Sequence, residues 1–467
     1  MKSYFDDAVT VDESTVTVHD AAALAGPAMD ALVRDAVFGE EGERADARWL
    51  LWELGQAVGV RPASIHDLYL ARGRGEVGGF TVPAINVRGA TYETARSIFR
   101  TAKRMEAGAF ILEIARSEIA YTAQRPQEYV SVLLAAALRE GFRGPVFIQG
   151  DHFQVNAKKY AQDATAEVDA VKQLIHEALD AGFYNIDVDT STLVDLDQST
   201  LDDQQRLNYE ICAELTRTIR ELEPDGVTVS IGGEIGEVGS QNSTVPELRA
   251  FMDGYNRVLA DQLPGAAGLS KISVQSGTTH GGVVLADGSI ADVKLDLNTL
   301  EELSRVARDE YGLSGAVQHG ASTLPDDAFH NFPRTETAEI HLATNFQNML
   351  YDHLPADLRE RIYGWVRDNL ASERGAKDSD EQFLYKSRKK ALGPFKADIW
   401  DLPADVLDAL GKAYDDKFTF LFTQLAIGGT RAAVRSTVKP LQIHRPRPGT
   451  PGHVTVSAAP DDADLSD

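Results

Sequence analysis

From Gly79 onward the chain alternates short apolar runs with longer segments of helical spacing. The runs at 80–86, 109–115, 145–149, 184–188, 227–231, 269–274, 316–318 and 338–342 read as strands, because each is a short, mostly apolar run within a strand–helix alternation. The segments between them carry apolar residues three and four apart; Val168, Val171, Leu174, Ile175 and Ala178 make one such face. A repeated strand–helix unit predicts a parallel sheet with right-handed crossovers, and eight units predict a (β/α)8 TIM barrel. An open doubly wound sheet would carry a glycine-rich phosphate turn after its first strand. The chain reads Asn86-Val87-Arg88-Gly89-Ala90 there, which is not that turn.

The barrel pattern occupies 79–355. Residues 1–78 are expected as an N-terminal helical extension in which Trp49, Leu50, Leu51, Trp52 and Leu54 form a buried stripe. Residues 356–440 are expected as a C-terminal helical extension, and 441–467, rich in Pro, Gly and Asp, as a disordered tail. Arg72 and Arg74, just before the first strand, read as solvated loop residues or as reaching a phosphate.

Composition narrows the function. Among 467 residues, 46 are basic and 71 acidic, a net charge of −25. That balance argues against an extended surface for nucleic acid or anionic membrane, while a locally positive pocket for a small anion stays compatible with it. The single cysteine, Cys212, permits no intrachain disulfide and lies in a helical pattern, as a buried thiol would. No signal core or membrane-length apolar run is present, so a cytoplasmic protein is expected.

In a barrel of this kind, polar residues at the C-terminal ends of the strands converge on one mouth. Here those positions hold Asp151-His152, Asp189, Glu234, His280 and His319, with His341 inside the eighth strand. Three neutral imidazoles can hold a zinc ion at about 2.0–2.1 Å each and leave a position for substrate. Asp151, beside one imidazole, could move a proton or orient the ring. His341 could be a fourth imidazole at the mouth, a substrate contact, a proton carrier or a buried structural side chain. The cluster Lys386-Ser387-Arg388-Lys389-Lys390 reads as a solvated helix face, or as a basic lid or subunit contact over an anionic substrate.

The set Val82-Pro83-Ala84-Ile85-Asn86, Gly150-Asp151-His152, Ile186-Asp187-Val188-Asp189-Thr190-Ser191, Gly233-Glu234-Ile235-Gly236, Thr279-His280-Gly281 and Gln318-His319-Gly320-Ala321-Ser322 resembles the class II, metal-dependent fructose-bisphosphate and tagatose-bisphosphate aldolases. The resemblance implies that His152, His280 and His319 hold Zn2+ or another divalent metal. It implies that Glu234 and Asp189 bind a second cation or orient those histidines, and that Asp151 carries the proton of the substrate hydroxyl. Gly281, Gly282, Gly320, Ser322 and Thr344 then match phosphate-holding positions, and Asn86 and Asn345 match substrate contacts. The implied reaction is carbon–carbon cleavage or formation in a phosphorylated ketose through a zinc-stabilised enediolate, in a glycolysis-like place. A cytoplasmic homo-oligomer, dimer or tetramer, is implied as well.

The chain departs from the family around the substrate. Loop acids that move protons are replaced by Gln241 and Asn242, with an offset Glu237 as the catalytic candidate. Val284 stands for a phosphate-side lysine, His341 for an asparagine and Ala343 for an aspartate. The shell is therefore expected to differ from that of a fructose 1,6-bisphosphate enzyme. The stretch Gly150 to Asn156 also resembles accessory subunits of the tagatose branch, which makes a non-catalytic partner of an aldolase complex the alternative.

Overall fold

The computed structural model describes residues 2–236, 241–277, 285, 295–450 and 452–458. In chain order its strands are β1 (Val9–Asp12), β2 (Thr15–Val18), β3 (Val60–Ala63), β4 (Val82–Asn86), β5 (Ile111–Ala115), β6 (Gly144–Gln154), β7 (Asn185–Asp189), β8 (Ser230–Glu234), β9 (Lys271–Val274), β10 (Ala316–Gln318), β11 (Glu339–Leu342), β12 (Leu441–His444) and β13 (Thr455–Ala458). Strands β4 to β11 pair in sequence order, all parallel, and β11 closes on β4 from Glu339↔Val82 to Leu342↔Ile85. That is the eight-stranded barrel the alternation predicts. Helices such as Thr91–Arg104, Pro126–Arg139 and Ala164–Ala181 form the crossovers and turn apolar faces inward.

The extensions differ from a purely helical expectation. Ahead of the barrel, β1 and β2 form a hairpin, and β3 pairs in parallel with the first half of β6. The β6–β7 ladder therefore begins only at Gln149↔Asn185. The Asn185 side chain finishes the join: its Oδ1 accepts from Ile65 N (2.9 Å) and its Nδ2 donates to Ala63 O and Ile148 O. The run Val-Arg-Pro-Ala of β3 has neither alternation nor length, so nothing in its pattern marks it as a strand.

The tail expected as disordered from 441 instead folds back, with β12 and β13 paired antiparallel. Trp52 Nε1 donates to Ile443 O (2.6 Å) and Trp49 Nε1 to Arg445 O (2.9 Å), while Glu53 accepts from Arg445 N (2.8 Å). The aromatic stripe on helix Glu41–Val58 is thus buried partly by the chain's own far end.

The helix His66–Gly73 plugs the N-terminal end of the barrel. Arg72 is buried there and donates to the carbonyls of Phe80 and Thr337, so it neither lies in solvent nor reaches a phosphate. Arg74 is exposed and paired with Glu76. On the barrel's outer side, helix Ala404–Gln424 of the C-terminal region packs along Thr91–Arg104; Arg100 pairs with Asp415 at 2.9 Å, and Tyr414 donates to Phe346 O.

Candidate metal and active site

The mouth groups owe their convergence to strand ends. Between Gly150 and Phe153 the register of β6 against β7 shifts, and His152 takes a left-handed φ of 42°. A bulge re-aims side chains, and a β-substituted residue at positive φ is strained, a combination concentrated at functional sites. Gly150 permits the bulge, because a Cβ there would lie 2.5 Å from the Phe153 ring.

His152, Glu234 and His319 offer ligand atoms that all lie within 4.8 Å of one another. Glu234 Oε2 is 3.7 Å from His152 Nδ1 and 3.6 Å from His319 Nδ1. The two imidazole rings are 4.3 Å apart between centroids. Asp189, at the end of β7, sits behind His152: Oδ2 accepts from His152 Nδ1 (2.9 Å) and Gln154 Nε2 (2.5 Å), while Oδ1 accepts from Ser191. This is the arrangement of a carboxylate that fixes a ring's orientation. Asp151 Oδ1 lies 3.7 Å from His152 Nε2 and 3.2 Å from His341 Nδ1.

Charges are crowded here. Burial, then the Asp189 carboxylate, pushes Glu234 well above the usual carboxylate range. Burial opposes charge on His152, yet Asp151, Asp189 and Glu234 together hold its pKa well above the ordinary imidazole value. Two imidazoles and a carboxylate are a donor set suited to zinc and similar divalent ions. A cation among these groups would relieve the repulsion between the acids.

Above them opens a cavity of about 860 Å³, into which Asp151, His152 and His341 project. Asn86, Gly320, Ser322 and Thr344 also line it; Asn345 stands outside the lining, and Gln347 lines it from the same helix. Ser322 Oγ accepts from the backbone N–H of Ala343 (2.5 Å) and Thr344 (3.2 Å), at the start of helix Thr344–His353. The positive end of that helix lies at the cavity, where a phosphate is expected. Glu237, His280, Gly281, Gly282 and Val284 lie outside the described residues.

One cavity wall comes from beyond the barrel. Tyr385, Lys386 and Lys389 reach it from the C-terminal region and join Arg88, Arg116 and Lys159. Arg88 pairs with Glu118 at 2.7 Å, and burial together with the neighbouring Arg88 lowers the pKa of Lys389.

Sequence reasoning missed the layer beneath the mouth. Lys271, Asp187, Glu339, Glu113 and Gln149 fill the barrel interior below Asp151 and His341. Lys271 Nζ donates to Gln149 Oε1 (2.7 Å), Asp187 Oδ2 (3.0 Å) and Glu339 Oε1 (2.5 Å). The signal was available: a lysine inside Leu-Ser-Lys-Ile-Ser-Val must be paired if that strand belongs to a closed parallel barrel.

A closed parallel barrel with a buried histidine–carboxylate cluster at the C-terminal ends of its strands is the architecture of a barrel enzyme with a metal-competent site. Residues 74–412 match the family model of class II fructose-bisphosphate aldolase, and the chain belongs to that family. A solved structure with a TM-score above 0.5 agrees on the fold. A protein described as a probable tagatose 6 phosphate kinase from Sinorhizobium meliloti 1021 is 18% identical, with a TM-score of 0.51 over 76% of this chain and 93% of its own. The YdjI aldolase from Escherichia coli K12 is 13% identical (TM-score 0.47, covering 79% and 99%). The fructose-bisphosphate aldolase of Campylobacter jejuni is 17% identical (TM-score 0.46, covering 78% and 94%). No curated protein matches the sequence. No described helix is long and apolar enough to cross a membrane.

Proposed function

We propose that the chain is a divalent-metal-dependent aldolase that cleaves or forms a carbon–carbon bond in a phosphorylated ketose, with zinc as its metal. The observation that carries this reading is the meeting of His152, His319 and Glu234 beside Asp151, where His152 and Asp151 line a cavity with a basic wall. His280 would complete the ligand set, Asp189 would orient His152, and Glu237 is the candidate acid from the loop after β8. The bound cation supplies Lewis-acid stabilisation of the negative charge that carbon–carbon cleavage leaves behind.

The chain's own residues supply the rest. Asp151 takes the proton of the substrate hydroxyl whose deprotonation breaks the bond. Gly320, Ser322 and Thr344 bind one phosphate at the helix start. Lys389 and Lys159 favour an anionic substrate at the other wall, and Lys389 supports the basic-lid reading of the 386–390 cluster. Ala343 lines the cavity, and with it the sequence change at Val284 points to a substrate shell unlike that of a fructose 1,6-bisphosphate enzyme.

The test is metal analysis of the purified chain together with cleavage assays on a panel of ketose phosphates. About one zinc or similar ion per chain is expected, lost in His152→Ala/His319→Ala, with cleavage abolished by EDTA and restored by metal. A chain that holds no metal after reconstitution and cleaves nothing would overturn the proposal and favour an accessory subunit.

A further inference from the structure

The layer under the mouth forms a continuous run of contacts. Lys271 is wholly buried, and its three N–H donors are all spent on Gln149, Asp187 and Glu339. Glu339 Oε1 also lies 2.7 Å from His341 Nε2, while Oε2 accepts from the Tyr69 hydroxyl. Both carboxylate oxygens of Glu339 are therefore engaged, and the group cannot turn. On the far side of the ring, His341 Nδ1 lies 3.1 Å from Glu113 Oε1 and 3.2 Å from Asp151 Oδ1. The backbone makes room for this arrangement: a Cβ on Gly232 would sit 2.4 Å from Asp187 Oδ1 and 2.8 Å from Lys271 Cε.

A buried lysine in a barrel lyase invites comparison with a Schiff-base nucleophile. The surroundings exclude that role. Burial works against its charge, but the Asp187 and Glu339 carboxylates outweigh burial and raise its pKa above the ordinary lysine value. An ammonium with three acceptors has no lone pair to offer a carbonyl, and Lys271 does not line the cavity.

We propose that Lys271 is a positioning residue for Asp151: its ammonium clamps Glu339, Glu339 fixes the His341 ring, and the ring holds the Asp151 carboxylate at the cavity floor. The proposal rests on the reading of Asp151 as acceptor of the substrate hydroxyl proton. Substrate never meets Lys271, so loss of the clamp changes turnover and leaves substrate binding alone.

The experiment compares Glu339→Gln with Lys271→Met/Glu339→Gln in the full, metal-loaded chain. Glutamine keeps a carbonyl acceptor for Lys271, so the single variant retains the clamp. The double variant removes one positive and one negative charge together, which favours folding over Lys271→Met alone. Relative to the single variant, the double is expected to lose kcat by about tenfold or more, with KM within about twofold and metal content unchanged. Equal kcat in the two variants would overturn the proposal and leave Lys271 as an ion pair of the barrel floor. A second readout does not depend on activity: the 15N signals of the His341 imidazole in histidine-labelled protein, assigned with His341→Gln. They should differ between the two variants, and identical signals would overturn the proposal. If the wild-type chain cleaves no ketose phosphate, the functional reading fails by itself and the imidazole signals still decide whether Lys271 sets the ring.

Discussion

The floor and the mouth of this barrel are both buried and both rich in acids, yet they differ in the cation those acids meet: the floor has a lysine of its own and the mouth has imidazoles. In the floor a cation is built in: Lys271 sits between Asp187 and Glu339, and burial of Glu339 is outweighed by Lys271 and His341, which hold its carboxyl down to about 2, while burial, then the Asp151 charge, pushes Glu113 up to about 7. In the mouth, Glu234, Asp189 and Asp151 crowd round two imidazoles, and burial and neighbouring carboxylate charge push the Glu234 carboxyl up. The difference teaches where to look for chemistry. A buried lysine shared between two carboxylates ties their strands to its own. A surplus of one sign beside a cavity favours an added cation and shifts the pKa values of the groups around it.

The largest effects should separate the two layers by observable. Asp151→Asn keeps the shape of the mouth and removes the proton acceptor, so kcat for ketose-phosphate cleavage should fall by roughly 10²–10⁴-fold with metal content unchanged. Steady-state kinetics beside metal analysis checks this, and a near-normal kcat in the Asp151→Asn variant would remove Asp151 from the chemistry. In the floor, Lys271→Met strands two buried carboxylates. It should cost about 3–5 kcal/mol of stability, read from denaturant unfolding of the metal-free protein. A loss below about 1 kcal/mol would mean that the floor is not held by charge.

That contrast also marks what the sequence could reveal. The barrel was legible because eight short apolar runs alternate with helical spacing, and closure then placed Asp151, His152, Glu234 and His319 at one end. The bulge that re-aims His152 was not legible, since it is a shift of register between two strands and leaves no mark in apolar periodicity. β3 was missed because a proline-containing run of four gives no period. The hairpin of β12 and β13 was missed because its stability comes from contacts far away in the chain, such as Ile443 on Trp52. Composition read alone made that segment look like a solvated tail. The face that helix Thr344–His353 turns to the cavity was hidden too: it presents Thr344 and Gln347, one turn apart, and a strand-end motif does not say how the following helix is rotated.

Histidines sharpen the comparison further. Those of the mouth are surrounded by acids, whereas His66, at the plugged end, meets apolar burial and a cation. Burial, then Arg220, pushes its imidazole down to about 4. A folded-state value below the unfolded value near 6.5 means that only the unfolded chain takes up the proton between those limits. Stability from this residue is therefore intact above about pH 6.5 and falls as the pH drops toward about 4, by about 3 kcal/mol in all. Unfolding of wild type and His66→Phe at about pH 7.5 and about pH 4.5 isolates the contribution. The wild-type advantage should shrink by a few kcal/mol at the lower pH, and an advantage equal at both would show that His66 is hydrated or paired.

The smallest effect is expected at the cavity wall, where charge meets solvent. Lys389 is half-buried beside Arg88, and among the described residues it makes no ion pair with a carboxylate. Arg88, Arg116 and Lys386 are paired with Glu118, Glu167 and Asp378, so Lys389 is one of the wall cations, with Lys159, that add positive charge to the cavity. Lys389→Met should raise KM for a phosphorylated ketose by about three- to tenfold with kcat nearly unchanged, because the charge acts on bound substrate and on the transition state alike. The gap between wild type and variant should narrow as salt is raised from about 50 to about 500 mM (about a threefold shortening of the screening length), since a partly exposed charge is screened. A variant that lowers kcat and leaves KM alone would move Lys389 from the wall into the reacting layer, and the division between mouth and wall would have to be redrawn.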